Sequence, residues 1–463
     1  MSGNKGLERY IVLFIPWILA SIFQSDALLS YWVAWVGSLL IFLLTLTGWV
    51  KAIPTDRPMT EQLMRPMFIM HIIFAGYMSC TSVFYMLDAL GYQNFVKSPV
   101  VLIDAQKIAA IAQCQRYYCL GHAAFITGVL VFMKYPAKKK YRIENTVLAD
   151  LLMKVALISL PVSNILMRTP GLSQLSNQLS SLSFIAGTLA LAFAIPQKKP
   201  TNTVICGLLY AFNFYSALVS GFKEPIIISI LVLGLFLYPN YKKFVLITFA
   251  PLLFFCFMVL PAYVNSFRAV AWSDDLDADA AAQQSLDVAL DGQNDNWDFL
   301  TLRLSEIDMF ITFTQSTPST IPYYGTKLLS QSLIVVIPRI FWPNKPITEA
   351  LVMERVYDAG VVNRLSNVSA KPAYIVDAYL SGGMPGIFIA LFAYGAIAQI
   401  ISIKAEELFG GYILGTALIF SGLFQIFWRG LSFEFIINAV FWSYISMLII
   451  FAILKKQRIL KPV

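Results

Sequence analysis

The chain has 463 residues, of which 58% are hydrophobic and 13% charged, with a mean hydropathy of +0.69 and a formal net charge of +8. A soluble domain carries roughly 25% charged residues, so the composition defines an integral membrane protein and excludes a soluble catalytic domain. The cation excess then reports orientation in a bilayer, and no nucleic-acid partner is expected.

Apolar runs recur along the chain, each near the roughly 20 residues that an α-helix needs to cross the hydrocarbon core. They fall at 10–24, 28–50, 67–91, 113–133, 151–170, 179–196, 203–221, 225–239, 243–263, 384–403, 411–428 and 433–454. The pattern predicts an all-α, polytopic protein with about twelve transmembrane helices. The first run reaches Gln24 without a small-residue cleavage site and reads as a retained helix. Cys80, Cys114, Cys119, Cys206 and Cys256 lie in or beside apolar runs without metal-ligand spacing and read as buried thiols, although Cys114 and Cys119 could meet near the outer surface. His71 and His122 fall in the third and fourth spans and read as packed side chains, so no zinc site or Ser/His/Asp triad is expected. A phosphate loop is missing, which argues against ATP-driven transport.

The connections after even-numbered spans are basic: Lys51, Arg57 and Arg65; Lys134, Lys138, Lys139, Lys140 and Arg142; Lys198 and Lys199; Lys242 and Lys243; Lys404; then Lys455, Lys456 and Arg458. By the positive-inside rule these face the cytoplasm, with both termini. The chain thus divides into spans one to nine (1–263), a large outer loop (264–383), and spans ten to twelve with a short cytoplasmic tail (384–463). Within the loop, Trp272 to Asp298 is acidic and rich in small residues and reads as mobile. The following "NWDFLTLRLSEIDMFITFTQ" and "TKLLSQSLIVVIP" read as helices that lie on the membrane or dip into it.

Three outward turns hold cations at the membrane. "GFKEP" precedes a span of about 15 residues, too short to cross, so Lys223 and Glu224 should sit below the surface, either lining a wet cavity or snorkelling outward as a pair. "FWRGLSFE" places Arg429 and Glu434 between the last two spans, where Trp428 and Arg429 could equally be an interfacial anchor. "IPRIFWPNKP" (337–346) holds Arg339 and Lys345 among Pro338, Pro343 and Pro346 as a stiff, non-helical turn. If the loop folds over, these cations converge with Arg303 and Arg268 on one cavity suited to a diphosphate, since guanidinium makes paired charge-assisted bonds to oxygens and ammonium supplies a point charge.

The order of these elements, a cationic turn before a late helix, a large outer loop, "IPRIFWPNKP", then "YIVDAYLSGGMPG" opening a helix and a late "WRG", resembles the Wzy-type O-antigen and oligosaccharide repeat-unit polymerases over roughly residues 203–454. The resemblance implies a membrane glycosyltransferase that moves a growing glycan from undecaprenyl diphosphate onto the newest lipid-linked repeat unit at the periplasmic face of the inner membrane. Membrane lipid is then an expected partner, and a chain-length regulator a candidate one that the sequence leaves open. Carried onto this chain, Arg339 and Lys345 form the basic turn, Lys223 stands where the family commonly has arginine, and Arg429 is the late outer arginine. The leaving diphosphate would be met by Arg339, Lys345, Arg429, Lys223 and Arg303, with Arg268 and Glu224 nearby and with neither metal nor other cofactor. Asp377 is the expected base, with Glu224, Glu306 and Asp308 as rivals. The plain alternative for Asp377 is a helix-start residue near the water interface.

Two other classes compete. An O-antigen ligase shares the design but generally carries a histidine in the outer loop, and 264–383 has none. A transporter or flippase would suit many spans and inner termini, but the large outer loop and the lack of recognisable halves argue against it.

Overall fold

The computed structural model describes the chain apart from residues 1–5, 7, 101, 170–171, 220–222, 239, 272–277, 291–296, 298, 367, 426 and 428–429. It is an all-α protein in which only four two-residue strands interrupt the helices among the described residues. A short Glu8–Ile11 helix and a 3-10 turn lead into α1 (Ile15–Ile22), followed by α2 (Ala27–Leu46), α3 (Ile69–Ala89, with a π-helical turn at Phe74–Ser79), α4 (Ala105–Phe132), α5 (Asn145–Met167) and α6 (Ser173–Ala194). Next come α7 (Pro200–Leu218), α8 (Lys223–Leu237), α9 (Lys242–Ala271), α10 (Ala278–Leu290), α11 (Ile307–Ser316), α12 (Lys327–Val336) and α13 (Thr348–Asp358), then α14 (Tyr374–Phe409), α15 (Tyr412–Phe420) and α16 (Phe433–Lys456).

Five of these, α2, α3, α5, α14 and α16, are long and apolar enough to cross a membrane among the described residues. The protein is therefore a multi-pass membrane protein. The other expected spans coincide with helices α1, α4, α6 to α9 and α15. Large apolar side chains stand exposed along α2 (Val36, Leu40, Leu43), α5 (Ile158, Ile165), α7 (Val204, Leu208) and α9 (Ile247, Phe254). Such a surface needs lipid as its solvent.

Local sequence sets the helix ends. Asp26 and Asp104 cap α2 and α4 by accepting from the amides of Leu29 and of Gln106 and Lys107, satisfying donors that a helix start leaves open. Helix α14 is bent where Gly382 and Gly383 leave helical geometry ahead of Pro385, and Gly383, at φ 63°, occupies a region that glycine tolerates best. It starts upstream of the span expected at 384, because the Tyr374–Ser381 turns precede the bend rather than belonging to a loop. The core is the crossing of α4 on α14. A Cβ on Gly128 would lie 2.1 Å from the Phe392 carbonyl oxygen, and one on Gly395 would lie 2.1 Å from that of Phe125. Only glycine allows the two backbones this approach.

The acidic stretch differs from expectation. Its described part forms α10, because "ADAAAQQSLDVAL" is dominated by alanine and other strong helix formers. Helix α10 joins α7, α8 and α9 in a second apolar cluster, built on Ala217, Ile226, Leu260, Phe267 and Ala281, beside the main core. His71 and His122 are buried with ring centroids 4.8 Å apart, packed among Phe42 and Phe74. Cys80, Cys114, Cys119 and Cys206 are free thiols.

The basic connections meet at one end of the bundle. Arg65 bonds both oxygens of Asp56 and both of Glu406, Lys140 pairs with Glu407 and Lys461 with Glu144. Strand β4 (Lys461–Pro462) pairs antiparallel with β3 (Tyr141–Arg142), so the C-terminus closes on the 134–142 connection. Hydrogen bonding by Arg65 holds the Asp56 carboxyl below its ordinary range.

Candidate functional site

The end opposite these basic connections is organised by one buried cation that the sequence reading passed over. Arg355, on α13, is 2% exposed, and its partners Asp377 and Glu434 are 0% exposed. Its Nε and Nη2 donate to the two oxygens of Asp377 at 3.0 and 2.9 Å, and Nη1 and Nη2 donate to those of Glu434 at 2.9 and 2.8 Å. The amide of Phe433 adds a 2.8 Å bond to Asp377 Oδ2. Two carboxylates on one guanidinium leave a formal charge of −1. The charge is offset by the starts of α14 and α16, which place Asp377 and Glu434 in their first turns, where each helix presents about half a positive charge. Both oxygens of Asp377 are therefore occupied away from solvent.

The cluster anchors a helical hairpin formed by α12, the 337–347 turn and α13. Arg355 fixes one limb to Glu434, and the indole of Trp442 donates to the carbonyl of Val336 at 3.0 Å to fix the other. From Glu434 to Trp442 is eight residues, about 12 Å along α16, so the hairpin lies along the side of that helix. Each limb is too short to cross a bilayer, and the turn between them exposes Ile340, Phe341 (79%), Trp342 and Ile347.

This geometry changes the meaning of "IPRIFWPNKP". The segment is a non-helical turn, as its prolines predict, but its cations serve the turn itself. Lys345, 3% exposed, donates to the carbonyls of Val335 and Ile337 at 2.8 and 2.7 Å, capping the end of α12. Arg339 donates to the carbonyls of Pro343 and Pro346 at 3.3 and 3.2 Å. Proline supplies no N–H, so an irregular, proline-rich backbone leaves carbonyls without backbone partners; the two cations supply donors to four of them. Lys345→Met should accordingly lower the melting temperature in detergent by several degrees, an effect of about 2 kcal/mol for stripping donors from buried carbonyls. An unchanged melting temperature would contradict this capping role.

A second grouping involves the two rival carboxylates. Tyr77 Oη donates to Glu306 Oε1 at 3.2 Å, Tyr85 donates to Asp308, and the buried Trp297 indole donates to Asp88 at 3.0 Å. These bonds sew segment 297–313 onto α3. Glu306 lines a small cavity with Tyr77, Met78, Tyr118, Leu304 and Ala373. It also abuts the "WRG" turn: a Cβ on Gly430, which has φ 59°, would lie 2.9 Å from Glu306 Oε1. Arg429 itself lies outside the described residues. Arg303 sits in the π-helical turn Phe299–Leu304, three positions before Glu306, with its side chain outside the described set. Lys223 and Glu224 open α8, and Arg268 is on α9; their side chains are likewise undescribed, and their helices carry the second apolar cluster.

Between α14 and α16 runs a groove of about 790 Å³. At the Arg355 end it is framed by Gly325, Thr326 and Gly382, and its wall passes Tyr374, Phe433, Ala393, Ile397 and Ile437 to reach Ile401 and Tyr444. The wall is almost wholly apolar, and its upper part is one layer of side chains away from the Arg355 cluster, through Tyr374 and Phe433. Among the described residues no group of His, Cys, Asp and Glu could hold a metal ion.

Five helices of this length and polarity among the described residues define a multi-pass α-helical membrane protein. A family model described as "Domain of unknown function (DUF8712)" matches residues 15–462. The chain belongs to that family. No curated protein and no solved structure matches it.

Proposed function

We propose that the protein is an integral-membrane glycosyltransferase that polymerises oligosaccharide repeat units. It would transfer a growing glycan from undecaprenyl diphosphate to a lipid-linked repeat unit at the periplasmic face of the inner membrane. On this reading about twelve helices span the bilayer, the Arg355 end and segment 264–383 face the periplasm, and the basic end with both termini faces the cytoplasm. The observation that carries the reading is the apolar groove between α14 and α16. It suits an isoprenoid chain, with the diphosphate at the outer rim near the Gly382–Gly383 bend.

In the reaction the acceptor hydroxyl attacks the anomeric carbon of the donor, the bond from that carbon to the diphosphate oxygen breaks, and undecaprenyl diphosphate leaves. The hydroxyl proton goes to a carboxylate. Because Asp377 is sealed by Arg355, Glu306 is the better placed base: it is half-buried, held by Tyr77 and beside Gly430. Arg429 and Arg303, with Lys223 and Arg268 as further cations and Glu224 beside Lys223, are assigned to the diphosphate. Arg339 and Lys345 are reassigned to holding the 337–347 turn after α12, the helix that contributes Leu329 to the groove. Glu306→Gln should reduce chain extension by about a hundredfold or more while protein abundance in the membrane stays unchanged, read as single repeats on the final acceptor. Long glycan of normal abundance in that variant would remove Glu306 from the mechanism.

A further inference from the structure

At its far end the groove opens toward a second cavity of about 560 Å³, and the two share Ile401 and Tyr444 in their walls. One side of this cavity is apolar, built from Phe132, Ile400 and Ile403; the other carries Lys134, Lys138 and Lys404. The carboxylate of Glu407, also in the wall, is already paired with Lys140 at 3.2 Å. None of Lys134, Lys138 and Lys404 has an ion-pair partner among the described residues. Lys404 is half-buried, six residues before Gly410 ends α14, which sets its backbone about 9 Å inside that end of the helix. The cations also crowd a neighbour: Lys51, whose ammonium caps the carbonyls of Leu130 and Met133, has its pKa lowered by burial and by Lys134.

We propose that this cavity binds an anionic phospholipid of the leaflet at the basic end, its phosphate among Lys134, Lys138 and Lys404 and an acyl chain against Phe132 and Ile400. Three unpaired ammonium groups call for an anion, and the depth of Lys404 matches the border between headgroups and acyl chains. The apolar wall selects a lipid over a soluble anion, since inorganic phosphate would fill the basic side and leave Phe132, Ile400 and Ile403 in water. The site is independent of the glycosyltransferase reading, because it rests only on the multi-pass fold and the charge at this end. It is also separate from the groove's proposed substrate, which would enter from the opposite end.

The test uses the full chain in phosphatidylcholine nanodiscs, titrated with phosphatidylglycerol and followed by native mass spectrometry of the released complex. The triple variant Lys134→Gln, Lys138→Gln, Lys404→Gln should retain phosphatidylglycerol at least about tenfold less than the parent. A charge-matched control, Lys139→Gln, Lys243→Gln, Lys456→Gln, should retain it as the parent does. Equal retention by the triple variant and the parent would overturn the proposal, as would equal loss in the control, which would mark a diffuse charge effect. Displacement of the lipid by millimolar inorganic phosphate would also overturn it, since the apolar wall would then contribute nothing. The single variants Lys134→Gln and Lys138→Gln, both at exposed positions in a connection, should each give part of the loss and keep the test open if the triple variant folds poorly.

Discussion

Arg355→Leu should destabilise the folded protein more than any other single change at this cluster. It leaves Asp377 and Glu434 buried side by side with no cation between them, and removing one partner of a buried ion pair costs about 3 to 5 kcal/mol. That range is a large share of the roughly 5 to 15 kcal/mol that holds an ordinary domain folded. Asp377→Asn and Glu434→Gln should be milder, because each removes one of two negative charges and leaves the guanidinium paired with the other. The expected order of melting temperatures in detergent is therefore parent, then the two carboxamide variants, then Arg355→Leu. Restoring neutrality in the triple variant Arg355→Met, Asp377→Asn, Glu434→Gln should recover part of the loss, since a neutral buried set carries no unpaired charge. A melting temperature for Arg355→Leu equal to the parent's would contradict the structural role given to this cluster.

Ala393→Trp should leave the fold intact and cripple use of a lipid-linked substrate. Ala393 lines the groove at mid-length and is half-buried, so an indole there has open space to occupy instead of a packed neighbour to displace. An isoprenoid chain gains roughly 0.8 kcal/mol per buried methylene. Excluding about three methylenes removes over 2 kcal/mol and raises KM by roughly 50-fold. Because the contact is the same in ground and transition states, kcat should change little. The readout is the concentration dependence of chain extension on a long-chain and a short-chain lipid carrier: only the long-chain substrate should suffer. Equal loss on both would place the lipid elsewhere.

Much of the fold was legible because lipid imposes a long-range rule on local sequence. The apolar runs mark helices, the cationic connections mark one end, and those connections meet there through Arg65, Glu406, Lys140 and Lys461. The run expected at 225–239 coincides with the 15-residue α8, Lys223–Leu237, and the run "TKLLSQSLIVVIP", too short to span, forms the ten-residue α12. The site was less legible, because its partners are remote along the chain. Arg355 meets Asp377 at a separation of 22 residues and Glu434 at 79, and nothing in its own neighbourhood, "LVMERVYDAG", separates it from a solvated helix residue. The clue was the pair of acidic residues opening two apolar helices, since carboxylates at that depth require a cation. The carbonyl-capping contacts of Arg339 and Lys345 are hidden in the sequence for the complementary reason. Proline's stiffness was visible, but the carbonyls its missing N–H groups leave open belong to the folded turn.

In the proposed reaction the groove between α14 and α16 holds the lipid of a glycan donor while the Arg355 end joins sugars. The most direct measurement is reconstitution of the purified chain with an undecaprenyl diphosphate-linked repeat unit, followed by mass analysis of the lipid-linked products. The expected product is a ladder of glycans, each one repeat longer than the last and each on a single lipid, with free undecaprenyl diphosphate released in step. Donor that remains as single repeats in the presence of folded protein, with no diphosphate released, would contradict it.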